Sequence, residues 1–465
     1  MRGFFIWLSM SQTLKHQYSA EQSNVFALEA RWVVPVLPYE QVLEQHSVIV
    51  QAGRILDILP SEQSKKKYPL VQVIVLNDHV LIPGLINLHT HAAMSLMRGL
   101  ADDKPLMQWL QQHIWPVEKR FVSERFVRQG SLLGCAEMLA GGTTCFNDMY
   151  FFPQAVAEAA TQSGMRANIG LVVMDFPTAY AHDAEDYVQK GLQARDDWRD
   201  SGLLRASLAP HAPYTVSDST FVNIVTYAEQ LGLNIHTHLH ETHTEIEDSI
   251  KQYGVRPLQR LEALGVLGPN LVAAHGVHLT EAEMKTLAAN GAHIAHCPAS
   301  NLKLASGIAP VTALVNAGVN VAIGTDGAAS NNRQDMFAEM RLAALLAKGA
   351  SSDAESVSAA EALAMATINA AKALGQEADI GSLERGKCAD IVAVNLAAIE
   401  LQPCFNVISH LVYSAGREHV THVWVAGELK YQKLQGQAGI YANMEPAELK
   451  EISTEWQTQL SQYLA

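Results

Sequence analysis

The sequence predicts an α/β protein: a (β/α)8 barrel with a small β-sandwich domain formed by both chain ends. Three observations carry that expectation. Eight apolar, strand-like runs alternate with helix-period segments through the middle of the chain. Repeated β–α units make a parallel sheet, and eight of them make a closed barrel. Each run ends in a residue able to bind a metal or move a proton: His89 and His91, Asp148, Asp175, His211, His238, His275, His296 and Asp326. Barrel active sites are assembled at those carboxyl ends. Finally, short strand patterns with glycine turns flank the barrel on both sides.

Taken in order, residues 1–23 read as an N-terminal extension. The apolar run Gly3-Phe4-Phe5-Ile6-Trp7-Leu8 follows Arg2 and faintly resembles a signal peptide. It is at the short limit and no A-x-A site follows, so export is not expected; Met10 is an alternative start. Residues 24–80 and 387–440 form the composite β-sandwich domain. Its strands are expected at 25–36, 46–58, 71–76, 389–395 and 420–431, with turns at Ala52-Gly53-Arg54 and Ala426-Gly427-Glu428. Residues 81–386 form the barrel, with strands at 81–91, 143–150, 166–174, 204–211, 233–240, 270–278, 291–297 and 319–326. Helix-period segments at 125–139, 220–231, 257–264, 281–290 and 310–317 lie between them. Two further helices follow the last strand, at 335–347 and 359–374. Residues 441–465 form a C-terminal helix, amphipathic over 446–464, that packs on the surface or on another subunit.

Composition narrows the class. At 465 residues the chain exceeds one small core. Charged residues are 17% and hydrophobic residues 48%, which suits a compact enzyme. A net charge of −14 argues against a nucleic-acid partner. The cluster Lys65-Lys66-Lys67 reads as a solvated loop. No apolar run is long enough for a membrane span. The five cysteines are odd in number and lack CxxC spacing, so a reduced, cytoplasmic setting is expected. Cys297 reads as a packing residue.

The chemistry begins at His89-Thr90-His91. Residues i and i+2 of a strand point the same way, so two imidazoles leave the strand end together. Alone, the pair is equally readable as two ordinary histidines. His238, in His236-Thr237-His238-Leu239-His240-Glu241, and Asp326, in Gly324-Thr325-Asp326-Gly327, supply the partners. Three imidazoles and a carboxylate suit one Zn²⁺ or Fe²⁺, with a position left for water. Such an ion lowers the pKa of water from about 15.7 to about 7. Glu241, three residues past His238, is placed to act as general acid/base. His275 could hold the attacking water. His236 and His240 either support the ligands or belong to the core, and His243 and His278 are peripheral.

The runs Pro83-Gly84-Leu85-Ile86-Asn87 before His89, His238-Leu239-His240-Glu241-Thr242, Ala274-His275-Gly276-Val277-His278-Leu279, His296-Cys297-Pro298-Ala299-Ser300-Asn301 and Gly324-Thr325-Asp326-Gly327-Ala328-Ala329-Ser330-Asn331-Asn332 resemble the amidohydrolase superfamily. Within it, they are similar to the branch of 5′-methylthioadenosine/S-adenosylhomocysteine deaminases and triazine chlorohydrolases. The resemblance implies His89, His91, His238 and Asp326 as ligands of a single divalent ion, Zn²⁺ ahead of Fe²⁺, with Glu241, His275 and Asp326 catalytic. Many two-metal members carry a bridging lysine at the end of the fourth strand; Ala209-Pro210-His211 stands there in this chain. The resemblance also implies that Glu118, in Trp115-Pro116-Val117-Glu118, binds ribose hydroxyls and that His211 contacts the purine, with Glu241 and Asp326 also touching substrate. A homodimer or homotetramer is implied as well.

One departure bears on the substrate. In members that accept S-adenosylhomocysteine, an arginine on the third strand follows the Met-Arg-Ala segment and meets the amino-acid carboxylate. Here Met165-Arg166-Ala167 continues Asn168-Ile169-Gly170. An unpaired carboxylate in a closed pocket is costly, so methylthioadenosine ranks above S-adenosylhomocysteine, with adenosine a further candidate. The expected reaction is hydrolytic deamination to the inosine analogue and ammonia. The rivals are guanine, another aminated heterocycle or a chlorotriazine on the same site and, more remotely, a non-catalytic metal-containing binding protein. The cytidine-deaminase signature (H-x-E with P-C-x-x-C) is absent.

Overall fold

The computed structural model describes residues 25–434 and 436–464. The extension expected at 1–23 lies outside them. The chain opens with β1 (Phe26–Val33), β2 (Leu43–Gln51), β3 (Arg54–Pro60) and β4 (Gln72–Pro83). Eight strands then follow, each separated from the next by at least one helix: β5 (Leu85–Thr90), β6 (Thr143–Tyr150), β7 (Arg166–Val173), β8 (Leu204–Pro210), β9 (Asn234–Leu239), β10 (Leu271–His275), β11 (His293–His296) and β12 (Asn320–Ile323). The chain returns with β13 (Ile391–Asn395), β14 (Val420–Val425), β15 (Glu428–Gln432) and β16 (Ile440–Tyr441).

Strands β5 to β12 pair in sequence order, every pair parallel. Strands β6 and β7 are buried along their whole length, as expected where helices cover one face and side chains fill the other. The outer two strands, β5 and β12, meet by individual bonds rather than a regular ladder. Asp326 N donates to His89 O at 2.9 Å. Thr325 N donates to Asn87 Oδ1 at 2.9 Å, and Asn87 Nδ2 donates to Thr325 Oγ1 at 2.7 Å. Gly324 lies at this seam: a Cβ there would stand 2.7 Å from His89 N and 2.8 Å from His89 Cβ. Only glycine lets the two strands approach.

The other strands form one sheet in the order β16-β15-β14-β13-β4-β1-β2-β3, antiparallel except for β1 and β4. It curls on itself, so that Arg54 bridges Cys388 and Gly427 N bonds Ala389 O. Leu28, Val48, Ile55, Leu81, Ile391 and Trp424 share a core enclosed by this curl, separate from that of the barrel. Buried Arg166, at the start of β7, joins the two bodies through Asp390, with contacts of 2.6 and 3.2 Å. The C-terminal helix Pro446–Leu464 packs on the barrel helix Glu124–Ala140 of its own chain. Trp456 meets Phe126 edge-on at 5.0 Å and donates its indole N–H to Gln129 at 2.7 Å. No described helix is long and apolar enough to cross a membrane.

The run 81–91, expected as one strand, is two. Residues up to Pro83 belong to β4, and β5 starts at Leu85. The chain changes sheets at Gly84, where a Cβ would lie 2.0 Å from Thr144 Oγ1. Gly84→Ala is therefore expected to destabilise the fold by about 1–3 kcal/mol, the usual range for overpacking. Adding Thr144→Ala should recover part of that loss, since the two changes share one contact. Urea unfolding of the two singles and the double tests this; strictly additive losses would contradict it.

Candidate metal centre and substrate cavity

Four histidines converge at the carboxyl mouth of the barrel, and all are held the same way. His91 Nδ1 bonds Met149 O at 2.5 Å, and His238 Nδ1 bonds His211 O at 2.7 Å. His275 Nδ1 bonds Asn301 Oδ1 at 2.8 Å, and His89 Nδ1 meets His236 Nε2 at 2.9 Å. With every Nδ1 occupied, every Nε2 is left for the centre, the arrangement that orients imidazoles toward a metal. His89 Nε2 is buried and makes no hydrogen bond, although Asp326 Oδ1 stands 3.3 Å away. His91 Nε2 is 3.1 Å from the same oxygen.

Asp326 is divided in function by its neighbours. Its Oδ2 accepts from Ser300 Oγ at 2.6 Å and Ser330 Oγ at 2.7 Å. Its Oδ1 is thereby turned to the histidines. Two overlapping triads, His89–His238–His275 and His89–His91–Asp326, each bring their ligand atoms within 4.8 Å of one another. An orphaned buried nitrogen, inward Nε2 atoms and a free carboxylate oxygen are the donor set of a divalent ion with borderline-soft preference.

Electrostatics follow from burial and from Asp326. Burial pulls the His89 imidazole down to about 4, against the pull of Asp326. Burial acts on His91 in the same sense, but Asp326, the Met149 carbonyl and Asp148 raise it to about 9. Burial works against the Asp326 charge, yet His89 and His91 hold its carboxyl well below the usual range. His275 and Asp326 both leave their strands with left-handed backbone, φ 74° and 60°. Non-glycine residues adopt that region at some cost, and it clusters at functional sites.

Glu241 follows β9 on a turn that is tied down. Glu245 accepts from His240 N at 2.9 Å with one carboxyl oxygen and from Glu241 N at 2.8 Å with the other. Thr242 caps the next helix, His243–Tyr253. The Glu241 carboxyl is buried, and burial raises its pKa. Its Oε2 lies 3.8 Å from His275 Nε2, and Ser306 Oγ approaches Oε1 at 3.4 Å. A carboxyl whose pKa burial raises, beside a donor set, is suited to giving and taking a proton.

A cavity of about 590 Å³ opens over this centre. His91, Glu118, His211, Glu241, His275 and Asp326 all reach it. Its remaining wall is mainly apolar and includes Trp109, Met149 and Leu304. That size and lining suit a small organic ligand held by a few polar groups. Glu118 sits on the helix Trp115–Phe121. Burial pushes its carboxyl up to about 7, while the hydroxyl of Tyr150, donating at 2.8 Å, pulls the other way. His211 directly follows β8, and burial takes its imidazole down to about 3.

The structure thus brings Glu118, His211, Glu241, His275 and Asp326 together around one space, with His89 beneath. Three other strand-end residues do different work. Asp148 accepts from Ala92 N at 2.7 Å below the centre. Asp175 accepts from Ser217 N and Thr220 Oγ1, where the loop after β8 enters its helix. His296 is buried without a hydrogen-bond partner. Sequence reasoning missed Ser300, Asn301 and Ser330, although they stand inside the motifs around Cys297 and Asp326. It also missed Tyr150, for which no motif gave a signal.

The chain belongs to the amidohydrolase family, which it matches over residues 80–430. It is 50% identical over 406 residues to a protein of Teredinibacter turnerae named 5-methylthioadenosine/S-adenosylhomocysteine deaminase, covering 87% of this chain and 91% of that one. A crystal structure of an adenosine deaminase from Xanthomonas campestris, with bound zinc, superposes with a TM-score of 0.91 at 47% identity; 94% of this chain and 98% of that one are covered. Atrazine chlorohydrolase from Arthrobacter aurescens, complexed with zinc, shares the fold with a TM-score of 0.85 at 24% identity, over 94% of this chain and 100% of that one.

The balance at Glu118 is testable. Its raised pKa means that the folded state keeps a proton the unfolded chain releases near 4.5, so its share of stability is lost as pH rises from there to about 7. Tyr150→Phe removes the donor that favours the charged form and should move the Glu118 titration above about 7. Carboxyl carbon-13 NMR, with Glu118→Gln to assign the signal, reads this directly. A titration in the ordinary carboxylate range would contradict it.

Proposed function

We propose that this protein is a metal-dependent hydrolytic deaminase of an adenine nucleoside. The preferred substrate is 5′-methylthioadenosine, converted to 5′-methylthioinosine and ammonia; S-adenosylhomocysteine and adenosine are further candidates. The observation that carries this reading is one cavity lined both by a histidine-rich centre and by Glu118, which is clamped by Tyr150. A carboxylate in an apolar wall is a fit acceptor for a ribose diol, and neither guanine nor a chlorotriazine has such a group. The names of the relatives support the same reading.

His89, His91, His238 and Asp326 would hold a single Zn²⁺, with Fe²⁺ as the alternative. When bound, such an ion makes water nucleophilic at neutral pH. His211 and Glu118 orient the nucleoside, the first toward the purine and the second at the ribose. Glu241 gives a proton to purine N1, which lowers the cost of breaking ring aromaticity, and recovers one from the C6 hydroxyl as the amine departs. His275, steadied by Asn301, orients the attacking water at C6. Asp326 Oδ1 accepts a proton from that water and passes it to the departing amine. Water replaces the amino group, so one ammonia leaves for each inosine analogue formed.

The apolar wall favours a methylthio tail. Arg166 is locked in its pair with Asp390 at the opposite end of β7. Among the described residues lining the cavity, Lys119 is the one lysine or arginine, and it is exposed. This ranks methylthioadenosine above the carboxylate-bearing homocysteine compound. Five free thiols fit a reducing, cytoplasmic setting. A homodimer or homotetramer is the assembly that the resemblance implies.

A continuous ultraviolet assay of zinc-loaded protein should show turnover of methylthioadenosine exceeding that of S-adenosylhomocysteine and adenosine, with none of guanine or chlorotriazines. No spectral change with any adenine nucleoside would overturn the reading. Glu241→Gln should lower kcat by about 10²–10⁴-fold, the usual contribution of a positioned acid/base. Unchanged turnover would remove Glu241 from the mechanism.

A further inference from the structure

We infer that Glu339 is a positioning residue for Asp326: it clamps the two turns that carry Ser300 and Ser330, and so fixes which carboxyl oxygen of Asp326 faces the centre. Glu339 lies on the helix Met336–Ser351, on one face with the buried Met336, Met340, Ala343 and Ala347. That spacing calls for an apolar residue. The carboxyl found there is 1% exposed. Burying it is unfavourable unless its oxygens are engaged, and both are. Oε2 accepts from Ala299 N at 3.1 Å, and Oε1 accepts from Asn331 Nδ2 at 2.8 Å. Burial pushes the Glu339 pKa up to about 8, while these two donors pull it back. Charged or neutral, it offers an oxygen to each.

Each contact is one residue away from a serine that binds Asp326. Ala299 precedes Ser300 on the short helix Pro298–Lys303, and Asn331 follows Ser330 on the short helix Ala328–Asn331. Ser300 Oγ and Ser330 Oγ donate to Asp326 Oδ2 at 2.6 and 2.7 Å. Asn331 Nδ2 gives its second hydrogen to Thr325 O at 2.6 Å, on the residue before Asp326. The direction of each bond is set by chemistry: amides and hydroxyls donate, and the two carboxyls accept. Donors on Oδ2 leave the lone pairs of Oδ1 free, 3.3 and 3.1 Å from His89 Nε2 and His91 Nε2. The chain therefore favours ligation by Oδ1 and does not compete with it. A cap for the first helix alone would use one oxygen of Glu339; the other reaches across to the second turn. Lys303 joins the same turns through Ala329 O at 3.2 Å. They therefore stay together when Glu339 is altered, and what changes is the aim of the serines.

The inference rests on the metal-centre reading but not on the substrate, so its test uses none. Metal-free protein is titrated with Zn²⁺ in competition with a chromophoric chelator, and folding is followed by far-ultraviolet circular dichroism. Glu339→Leu keeps the helix face apolar and removes both acceptors. It should weaken zinc binding about 10-fold, the lower end for groups that orient metal ligands. In a Ser300→Ala/Ser330→Ala background the clamp has nothing to aim, and the same change should alter zinc affinity by less than about 2-fold. A glutamate that only supports the fold would act alike in both backgrounds, so equal losses overturn the proposal. Parental zinc affinity in Glu339→Leu, or in the protein lacking both serines, also overturns it. If Glu339→Leu does not fold, Glu339→Gln, which keeps one acceptor, is compared in the same two backgrounds and the same outcomes decide. A parent protein that takes up no zinc would overturn the metal-centre reading and this inference with it, a result distinct from loss in the variants alone.

Discussion

The contact between β5 and β12 closes the barrel and builds the centre at once. Asp326 N bonds His89 O, and Asn87 holds Thr325 from both sides. Gly324 lets the strands come together against His89. The first and last elements of a barrel lie more than two hundred residues apart in this sequence, and the loop-closure cost of joining them is met before any ligand can be bound. A change that loosens the seam should therefore act on fold and centre together. The geometry gives the reason: the same backbone atoms that make the seam belong to two of the four candidate ligands.

Around that seam, the polar groups are aimed rather than merely collected. Buried imidazoles are costly unless their nitrogens are satisfied. Here each Nδ1 finds a partner on the outer side, and the inner nitrogens are left facing one another and Asp326. Serines 300 and 330 occupy one oxygen of Asp326 and so present the other. Glu245 fixes the turn bearing Glu241, and Tyr150 fixes Glu118. Preorganisation of this sort lets fixed dipoles and charges act without rearrangement during reaction.

Much of this was legible in the sequence because it depends on local pattern. Strand runs ending in His or Asp mark the carboxyl mouth, and the alternation of apolar runs with helical segments marks the barrel. The His89–His91 spacing, with His238 and Asp326, marks the donor set. What escaped was set by distance in the fold. Nothing near Tyr150 signals that its hydroxyl reaches a helix 32 residues earlier. His236 could be core or support until Asn147 and His89 were seen on either side of it. The run through Gly84 looked like one strand because its hydropathy is continuous; the change of sheet depends on a glycine meeting Thr144. Asp175 and His296 share the strand-end pattern of the site residues, yet the first holds a loop and the second is buried without a hydrogen-bond partner, which residue type alone does not separate.

The central claim is that water replaces the amino group of an adenine nucleoside at this centre, with the ion required. Turnover of methylthioadenosine in ¹⁸O-labelled water, by metal-free protein before and after zinc is restored, tests it most directly. The account predicts one ¹⁸O on C6 of the product purine and one ammonia per product, only after zinc is restored. Release of free adenine, or ammonia formation at the same rate without metal, would contradict it.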